Sequence, residues 1–170
     1  MNNVLKGKAW TFGANINAES IMPTGTDLDP ARAATMCLVH YDPEFHKKVQ
    51  PGDMVVAGPN FGNSSSRSAG RVFKHLNVSV IICETSARIF FRNTWNIGVP
   101  VLECPDITSI VNKGDELEVD LETGEIKNLT TGAAARAAPT IPLLVDRWRA
   151  GGMIEWVKQN RDKYDTIEMD

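Results

Sequence analysis

The chain has 170 residues, of which 42% are hydrophobic and 23% charged, and its formal net charge is -3. This length and composition predict one folded domain spanning 1–170 with a substantial hydrophobic core. The small negative charge gives no support for general binding to nucleic acid or to anionic membranes. The sequence shows neither an apolar run of the roughly 20 residues that a membrane span needs nor the regions of a signal peptide, which favours the cytoplasm.

Three cysteines lie far apart in apolar stretches of sequence, at Cys37, Cys83 and Cys104. Their odd number and wide spacing predict buried thiols and not a disulfide framework. The spacing also differs from a compact zinc or iron–sulfur motif, although convergence in space stays open as an alternative. We therefore expect no metal site in this chain and infer that any metal would come with another chain.

The first part of the chain predicts one strand followed by a long irregular region. Gly7–Gly13 has the composition of a short strand, and residues 14–30 predict a polar connection that is either functional or a solvated linker. Ala31–His40 shows a weak helical pattern, and Pro43–Val49 favours a second short helix. The buried face of the first helix would be formed by Ala33, Ala34, Met36 and Cys37.

The middle of the chain alternates buried strands with amphipathic helices. Met54–Gly58 and Val78–Cys83 are apolar and rich in β-branched residues, which predicts core strands. The helix between them is indicated by the spacing of Ala69, Val72, Phe73 and Leu76, and its opposite face, left for water, by Arg71, Lys74 and His75. Ala87–Asn96 predicts a further helix and Val99–Leu102 a third strand. That helix would pack inward through Ile89, Phe90 and Trp95, flanked by Arg88 and Arg92.

The last third of the chain begins with a pattern typical of antiparallel strands. Asp115–Leu121 alternates polar and apolar residues, and Ile126–Leu129 predicts its hairpin partner. Thr130–Pro139 is rich in alanine, glycine and threonine and predicts a loop. Helices are predicted from Ile141 to Gly151 and from Met153 to Asn160, before a frayed acidic tail. The order of elements indicates an α/β core with an added hairpin.

The polar loop between the first buried strand and the helix that follows it is the strongest functional candidate. It contains Asn63, three consecutive serines at Ser64, Ser65 and Ser66, and Arg67. Serines at the start of a helix lie beside unpaired backbone N–H groups and the positive end of the helix dipole, which suits a carboxylate or phosphate ligand. Arg67, expected in the first helical turn, could pair with both oxygens of one carboxylate.

The same loop also fits a purely structural role, because serine caps helices and glycine and asparagine are ordinary turn residues. Two details favour a ligand. Three serines exceed what one helix cap requires, and an arginine in the first turn opposes the helix dipole unless an anion compensates it. A phosphate-binding module is a weaker alternative, because the loop does not match a P-loop.

Three segments resemble a known family: Gly-Pro-Asn-Phe-Gly-Asn-Ser-Ser-Ser-Arg at 58–67, Ser-Ala-Arg-Ile-Phe-Phe-Arg-Asn at 86–93 and Asn-Ile-Gly-Val-Pro-Val-Leu at 96–102. They are similar to the small subunit of 3-isopropylmalate dehydratase, which is equivalent to the swivelling C-terminal domain of aconitase. Shorter matches extend the resemblance over nearly the whole chain. It implies an α/β fold of the swivelling type, a β/β/α three-layer sandwich with a mixed sheet.

The resemblance also implies an activity, with leucine biosynthesis as the expected pathway. In the family, a large subunit holds a 4Fe-4S cluster whose open iron binds the substrate hydroxyl, and the small subunit supplies a serine base that acts on a hydroxy-dicarboxylate. Ser65 matches that serine. Ser66 and Arg67 match groups that bind a substrate carboxylate, beside Ser64 and Asn63. The implied assembly is a heteromer with the large subunit, and self-association of the isolated chain stays open.

Several positions depart from the family pattern. Ser64 stands where the family has a second loop glycine, and Ser68-Ala69 stand where a Glu-His pair usually follows the arginine. The family's substrate-selecting segment corresponds here to Thr24, Gly25, Thr26 and Asp27. Thr26-Asp27 replaces the Tyr-Leu of isopropylmalate enzymes and the Tyr-Arg of homoaconitase-like ones. Alternative substrates of the 2,3-dimethylmalate or homoaconitate type therefore stay open, as does a non-catalytic anion-binding subunit.

Overall fold

The computed structural model describes residues 3–23, 29–64 and 68–163. The strands in this part of the chain are β1 (Val4–Phe12), β2 (Met54–Ala57), β3 (Val80–Cys83), β4 (Val101–Glu103), β5 (Glu116–Asp120), β6 (Glu125–Asn128) and β7 (Ala134–Arg136). The helices are α1 (Ala18–Ile21), α2 (Pro30–Ala34), α3 (Phe45–Lys48), α4 (Gly70–His75), α5 (Arg88–Asn96), α6 (Ile107–Ile110), α7 (Pro142–Arg149) and α8 (Met153–Gln159). A 3₁₀ turn at Arg161–Lys163 follows α8.

The strands form one mixed sheet in the order β4-β3-β2-β1-β5-β6-β7. The first four strands along the chain pair in parallel, whereas β5, β6 and β7 are antiparallel. The predicted α/β fold with a mixed sheet is therefore confirmed. The register aligns the carboxyl ends of the parallel strands at Phe12, Ala57, Cys83 and Glu103. Loops that leave these ends meet at one edge of the sheet, where open α/β folds bind ligands.

The core lies around the parallel strands. Every residue of β2 and β3 is buried, as expected of strands covered on both faces. Phe45 of α3 is fully buried and contacts the rings of Trp10 and Phe12 edge-on, each with ring centroids 5.3 Å apart. The Trp10 indole N–H donates to the buried Asp53 carboxylate at 2.8 Å. This bond satisfies both polar groups inside the core.

Two predicted side-chain orientations were wrong. Met36 is 41% exposed, because α2 ends at Ala34 and Leu38 adopts a left-handed φ of 56°, which interrupts the expected helix. Ile89 is 45% exposed, although Phe90 and Trp95 on the same helix are buried as predicted. The helical period of α5 leaves Ile89 on the side of the helix away from the sheet.

Two helices and one strand were not predicted from the pattern, and the first of them is α1, which lies within the expected irregular connection 14–30. The segment Thr130–Pro139 was expected to be a loop, but it contains β7, which pairs with β6 through the register Glu125↔Arg136. This strand forms because its backbone hydrogen-bonds to β6. Its small side chains give no local pattern from which the strand could be predicted. Helix α6 was also missed, since its four residues carry too little periodicity to reveal it.

The cysteines are buried free thiols, as predicted. Among the helices of the described ranges 3–23, 29–64 and 68–163, none combines the length and apolar character that crossing a membrane requires.

Asp115 and Asn128 connect the hairpin to the loop before it. The Asn128 side-chain amide donates to the Asp115 carboxylate at 2.7 Å and to the Ile110 carbonyl at 2.9 Å. The Asn112 backbone N–H donates to the same carboxylate at 2.8 Å. The hydrogen bond from Asn112, followed by that from Asn128, holds the pKa of Asp115 below its ordinary value, because both favour the charged form.

Replacement of this carboxylate should give a pH-dependent loss of stability. Because its folded pKa is lowered, Asp115 stabilises the fold above its unfolded pKa of about 3.9, and this contribution is lost as the pH falls through the folded pKa. In urea unfolding, the deficit of Asp115→Asn relative to wild type should be full at pH 7 and smaller near pH 3. Asp162→Asn, an exposed change of the same charge, should stay within about 0.5 kcal/mol of wild type. An equal deficit for Asp115→Asn at both pH values would contradict this account.

Candidate functional site

The loop that follows β2 is bonded on one side to the segment after β1. The Gly62 N–H donates to the Ile16 carbonyl at 2.7 Å, and the Ala18 N–H donates to the Asn63 carbonyl at 2.9 Å. Asn17 forms an isolated parallel bridge with Asn63 between these two bonds. The loop therefore extends the sheet pattern beyond the end of β2.

The other side of the loop is bonded to the segment after β3. The Phe61 N–H donates to the Thr85 carbonyl at 3.0 Å, and the Ala87 N–H donates to the Phe61 carbonyl at 2.9 Å. The Thr85 hydroxyl accepts the Asn60 N–H at 2.8 Å. We call the main-chain bonds that join the loop to these two segments the loop clamp. It holds residues 60–63 between two neighbouring connections at the carboxyl edge of the parallel strands.

Phe61 anchors the clamped loop in the core. Its side chain is fully buried, with its ring centroid 5.3 Å from that of Phe90 and 6.1 Å from that of Phe73. Burial of one large aromatic side chain contributes on the order of 2 kcal/mol. An apolar residue near the centre of the polar loop therefore anchors the loop in the core.

Alternate residues of the loop have left-handed backbone conformations: Asn60 at φ 63°, Gly62 at 72° and Ser64 at 61°. Asparagine and glycine adopt this conformation readily, whereas a serine pays a steric cost of about 1 kcal/mol. Ser64 stands where the family pattern has glycine, so the backbone geometry that a glycine would favour is kept despite the substitution. Ser64 is also exposed.

The side chains of three asparagines brace the same loop. The Asn60 amide donates to the Asn15 side-chain oxygen at 2.9 Å, and the Asn63 amide donates to the Asn60 carbonyl at 2.9 Å. The nitrogen of Asn63 is therefore engaged within the loop. Its side-chain oxygen is the part that a ligand could use.

The predicted site residues fall partly outside the described residues. Ser65, Ser66 and Arg67 lie there, as do Thr24, Gly25, Thr26 and Asp27. Asn63 and Ser64 lie on the clamped side of the loop, and the described chain resumes at Ser68. The roles assigned to all of these residues stay predictions.

Helix α4 starts later than the loop pattern indicated. It begins at Gly70, with Ala69 at the cap position and no side-chain cap. Arg67, which was expected in the first helical turn, lies outside the described residues. Gly70 also packs against Thr94, whose hydroxyl would be 2.5 Å from any Cβ added there. Close packing of Gly70 against α5, and not a side-chain cap, therefore determines where α4 begins.

Among the described residues, one cavity lies at the start of α5 and another lies along α4. One of about 310 Å³ is lined by Ser86, Arg88, Phe91, Arg92 and Glu103. Within it, Glu103 accepts hydrogen bonds from the Ser86 N–H at 2.8 Å and the Ser86 hydroxyl at 2.6 Å. The other cavity has about 660 Å³ and includes Ser68, Arg71 and Lys74. The sequence pattern predicted only that Arg71 and Lys74 face water. It could not predict the cavity, because the opposite walls come from segments that are distant in sequence and leave no local signal.

The described residues do not supply a metal site. Within 3–23, 29–64 and 68–163, no three His, Cys, Asp or Glu side chains converge so that they could hold a metal ion. Burial raises the pKa of Cys83 to about 12 and also raises those of Cys37 and Cys104, which opposes the thiolate form that ligates iron. These three cysteines do not fit the ligand set of an iron–sulfur cluster.

The contact between Gly62 and Phe90 gives a direct test of the loop geometry. A Cβ added at Gly62 would lie 2.2 Å from the Phe90 ring, on a backbone with φ 72°. We expect Gly62→Ala to lower the free energy of unfolding by about 1–3 kcal/mol, measured by urea denaturation. The matched control is Gly114→Ala, because Gly114 has φ 92° but no atom within 4 Å of the added Cβ. Equal losses in the two variants would show that Phe90 does not confine the loop.

Comparison with known proteins assigns the chain to a family. Residues 11–106 match the family of the aconitase C-terminal domain. The chain is 42% identical over 162 residues to the isopropylmalate/citramalate isomerase small subunit of Methanocaldococcus jannaschii, covering 94% of this chain and 96% of that protein.

Two further comparisons agree with this assignment. The chain is 44% identical over 158 residues to the 3-isopropylmalate dehydratase small subunit of Caldicellulosiruptor bescii, covering 91% of this chain and 95% of that one. The crystal structure of 3-isopropylmalate dehydratase from M. jannaschii superposes with a TM-score of 0.85 at 31% identity, covering 97% of this chain and 99% of that chain. The chain therefore belongs to the aconitase C-terminal domain family and, within it, to the small subunits of the 3-isopropylmalate dehydratase group of hydro-lyases.

Proposed function

We propose that this chain works with a large subunit that carries a 4Fe-4S cluster, and that together they dehydrate and hydrate a substituted malate. The relatives support this, because they are named as small subunits of dehydratases or isomerases of such acids. The observation that carries the proposal is the loop clamp. It fixes the backbone up to Asn63 at the ligand-binding edge of the sheet, two residues before Ser65.

Ser65 is the proposed base. Its deprotonated oxygen takes the proton from the carbon next to the one that bears the substrate hydroxyl, and the electron pair of that C–H bond forms the double bond as the C–O bond breaks. In the reverse direction the serine returns the proton. The cluster, when bound in the large subunit, supplies a Lewis acid for the departing hydroxyl.

A serine hydroxyl is a weak base, so its deprotonated form needs stabilisation. Arg67, two residues away, supplies positive charge near the reacting oxygen, and a water-excluded site strengthens that effect. Ser66 and Arg67 are also proposed to bind a substrate carboxylate, with the guanidinium pairing two oxygens. Ser64 and the side-chain oxygen of Asn63 would complete this carboxylate site.

The substrate's side group is proposed to be selected by Thr24, Gly25, Thr26 and Asp27. Neither Thr26 nor Asp27 offers the apolar side chain that an isopropyl group would contact. The substrates considered are 3-isopropylmalate, which would place the enzyme in leucine biosynthesis, 2,3-dimethylmalate and acids of the homoaconitate type. The first two are malates with alkyl substituents, whereas acids of the homoaconitate type carry a third carboxylate.

Replacing the proposed base tests this function. The chain would be reconstituted anaerobically with a cluster-bearing large subunit, and enoate absorbance would be followed with a panel of substituted malates. Ser65→Ala should lower kcat by about 10²–10⁴-fold, the usual contribution of a positioned base. Ser109→Ala, on the exposed surface of α6, should keep wild-type turnover. Wild-type turnover in Ser65→Ala would overturn the assignment of the base.

A non-catalytic anion-binding subunit is the alternative that the departures from the family pattern support. Helix α4 lacks a side-chain cap, and Ser68 replaces a glutamate that could have closed one. A stable complex with an intact cluster but no turnover would favour this alternative. If Ser68→Glu, alone or together with Ala69→His, then restored turnover, the wild-type chain would be a subunit that has lost its activity. The single change is needed because Ala69 is only 1% exposed and a histidine there must repack its surroundings.

A further inference from the structure

Helix α5 begins directly beside the clamped loop. Ser86 forms an isolated parallel bridge with Phe61, and the Ala87 N–H donates to the Phe61 carbonyl at 2.9 Å. Arg88, the next residue, is the first of the helix. Main-chain contacts between described residues therefore join the start of α5 to the loop, at the carboxyl edge of the parallel strands.

One face of α5 is turned away from the rest of the chain. The buried residues of the helix lie together on its inner side: Phe90, Thr94 and Trp95. Because each residue of an α-helix turns by about 100°, Arg88, Arg92 and Ile89 fall within one arc of about 100° on the outer side. All three are exposed, and Ile89 has 45% of its surface accessible although it is apolar. We call these three residues the α5 outer face.

The α5 outer face carries two unpaired positive charges. Arg88 and Arg92 lie one helical turn apart, where like charges repel each other. Among the described residues, neither guanidinium takes part in an ion pair. The neighbouring Glu103 carboxylate instead accepts the Ser86 N–H at 2.8 Å and the Ser86 hydroxyl at 2.6 Å. Both guanidiniums are therefore available to carboxylates from outside this chain.

A cavity of about 310 Å³ opens between this face and the end of β4. Its described walls are Ser86, Arg88, Phe91, Arg92 and Glu103. The Phe91 ring supplies an apolar wall, and the two arginines border the same space. An aspartate or glutamate side chain suits this combination, because its methylene groups can lie on the ring while its carboxylate pairs with a guanidinium.

The family and the position of the face indicate which partner would cover it. The relatives are named as small subunits, and under the proposed function the large subunit must reach the loop that α5 adjoins. A second copy of this chain fits less well. A symmetric contact through the same face would bring the guanidiniums of both copies together.

We propose that the α5 outer face is a docking surface for the large subunit. Carboxylates of the large subunit pair with Arg88 and Arg92, one of them inside the cavity, and an apolar side chain of the large subunit covers Ile89. Arginines that lose their water in this way are frequent hot spots of protein interfaces. This inference rests on the proposed function and adds to it the place where the partner binds.

The test measures the Kd between this chain and the cluster-bearing large subunit of the same organism, by anaerobic calorimetry without substrate. Arg88→Gln/Arg92→Gln should raise the Kd by about tenfold or more. The Kd of this variant should also depend less on salt concentration than that of wild type, because exposed charge pairs are screened by salt. Ile89→Ser should raise the Kd while keeping the wild-type salt dependence.

The matched control removes two charges elsewhere. Lys8→Gln/Lys47→Gln changes exposed residues of β1 and of α3, the helix that precedes the amino end of β2. This variant should keep the wild-type Kd and its salt dependence. All variants change exposed side chains, so they should unfold at the wild-type urea midpoint.

An unchanged Kd in Arg88→Gln/Arg92→Gln would overturn the proposal. A wild-type homodimer that the same change dissociates would also overturn it, because a second copy would then occupy the face. Weaker binding in the α5 variants, in a complex that turns over no malate of the panel, would refute the proposed catalysis and support the docking surface. Turnover that Ser65→Ala abolishes, in a complex whose Kd does not depend on Arg88 and Arg92, would do the reverse.

Discussion

The site depends on main-chain hydrogen bonds that hold one loop between two others. Three parallel strands, β1, β2 and β3, end side by side, so the connections after them are close enough to bond to one another. Phe61 then fixes the middle connection to the core. Under the proposed function, such main-chain bonds would lower the cost of positioning a reacting group two residues further along the chain, which is the usual benefit of preorganisation.

Much of the fold followed from local pattern, because β2, β3 and α5 carry strong hydrophobic periodicity. The edge strand β7 and the exposure of Ile89 could not be predicted in this way, because both depend on neighbours in space that are distant in sequence. The site shows the same division. Its turn residues and serines pointed to the loop, but the bonds to Ile16 and Thr85 use backbone atoms that every residue has, so no residue type could reveal them.

The departures from the family pattern have different structural consequences. At Ser64 the left-handed backbone is kept, at the steric cost of a side chain where glycine is usual. At Ser68 and Ala69 the chain enters α4 without a side-chain cap, and the packing of Gly70 against Thr94 positions the helix instead. The basic face of α4, which the sequence indicated only as solvent-facing, forms a cavity wall next to these changes. Ser68, one of the altered positions, thus lines the same cavity as the basic residues of α4.

Native-state hydrogen exchange tests the loop clamp most directly, because it reads individual amides without requiring a partner subunit or a substrate. The bonded amides of Phe61, Gly62, Ala18 and Ala87 should exchange only through global unfolding, at rates matching those of β2 and β3. Exchange of these four amides at the rate of an unprotected peptide, while β2 and β3 stay protected, would contradict the account. The loop would then be ordered only by the partner or the substrate, and not by the fold of this chain.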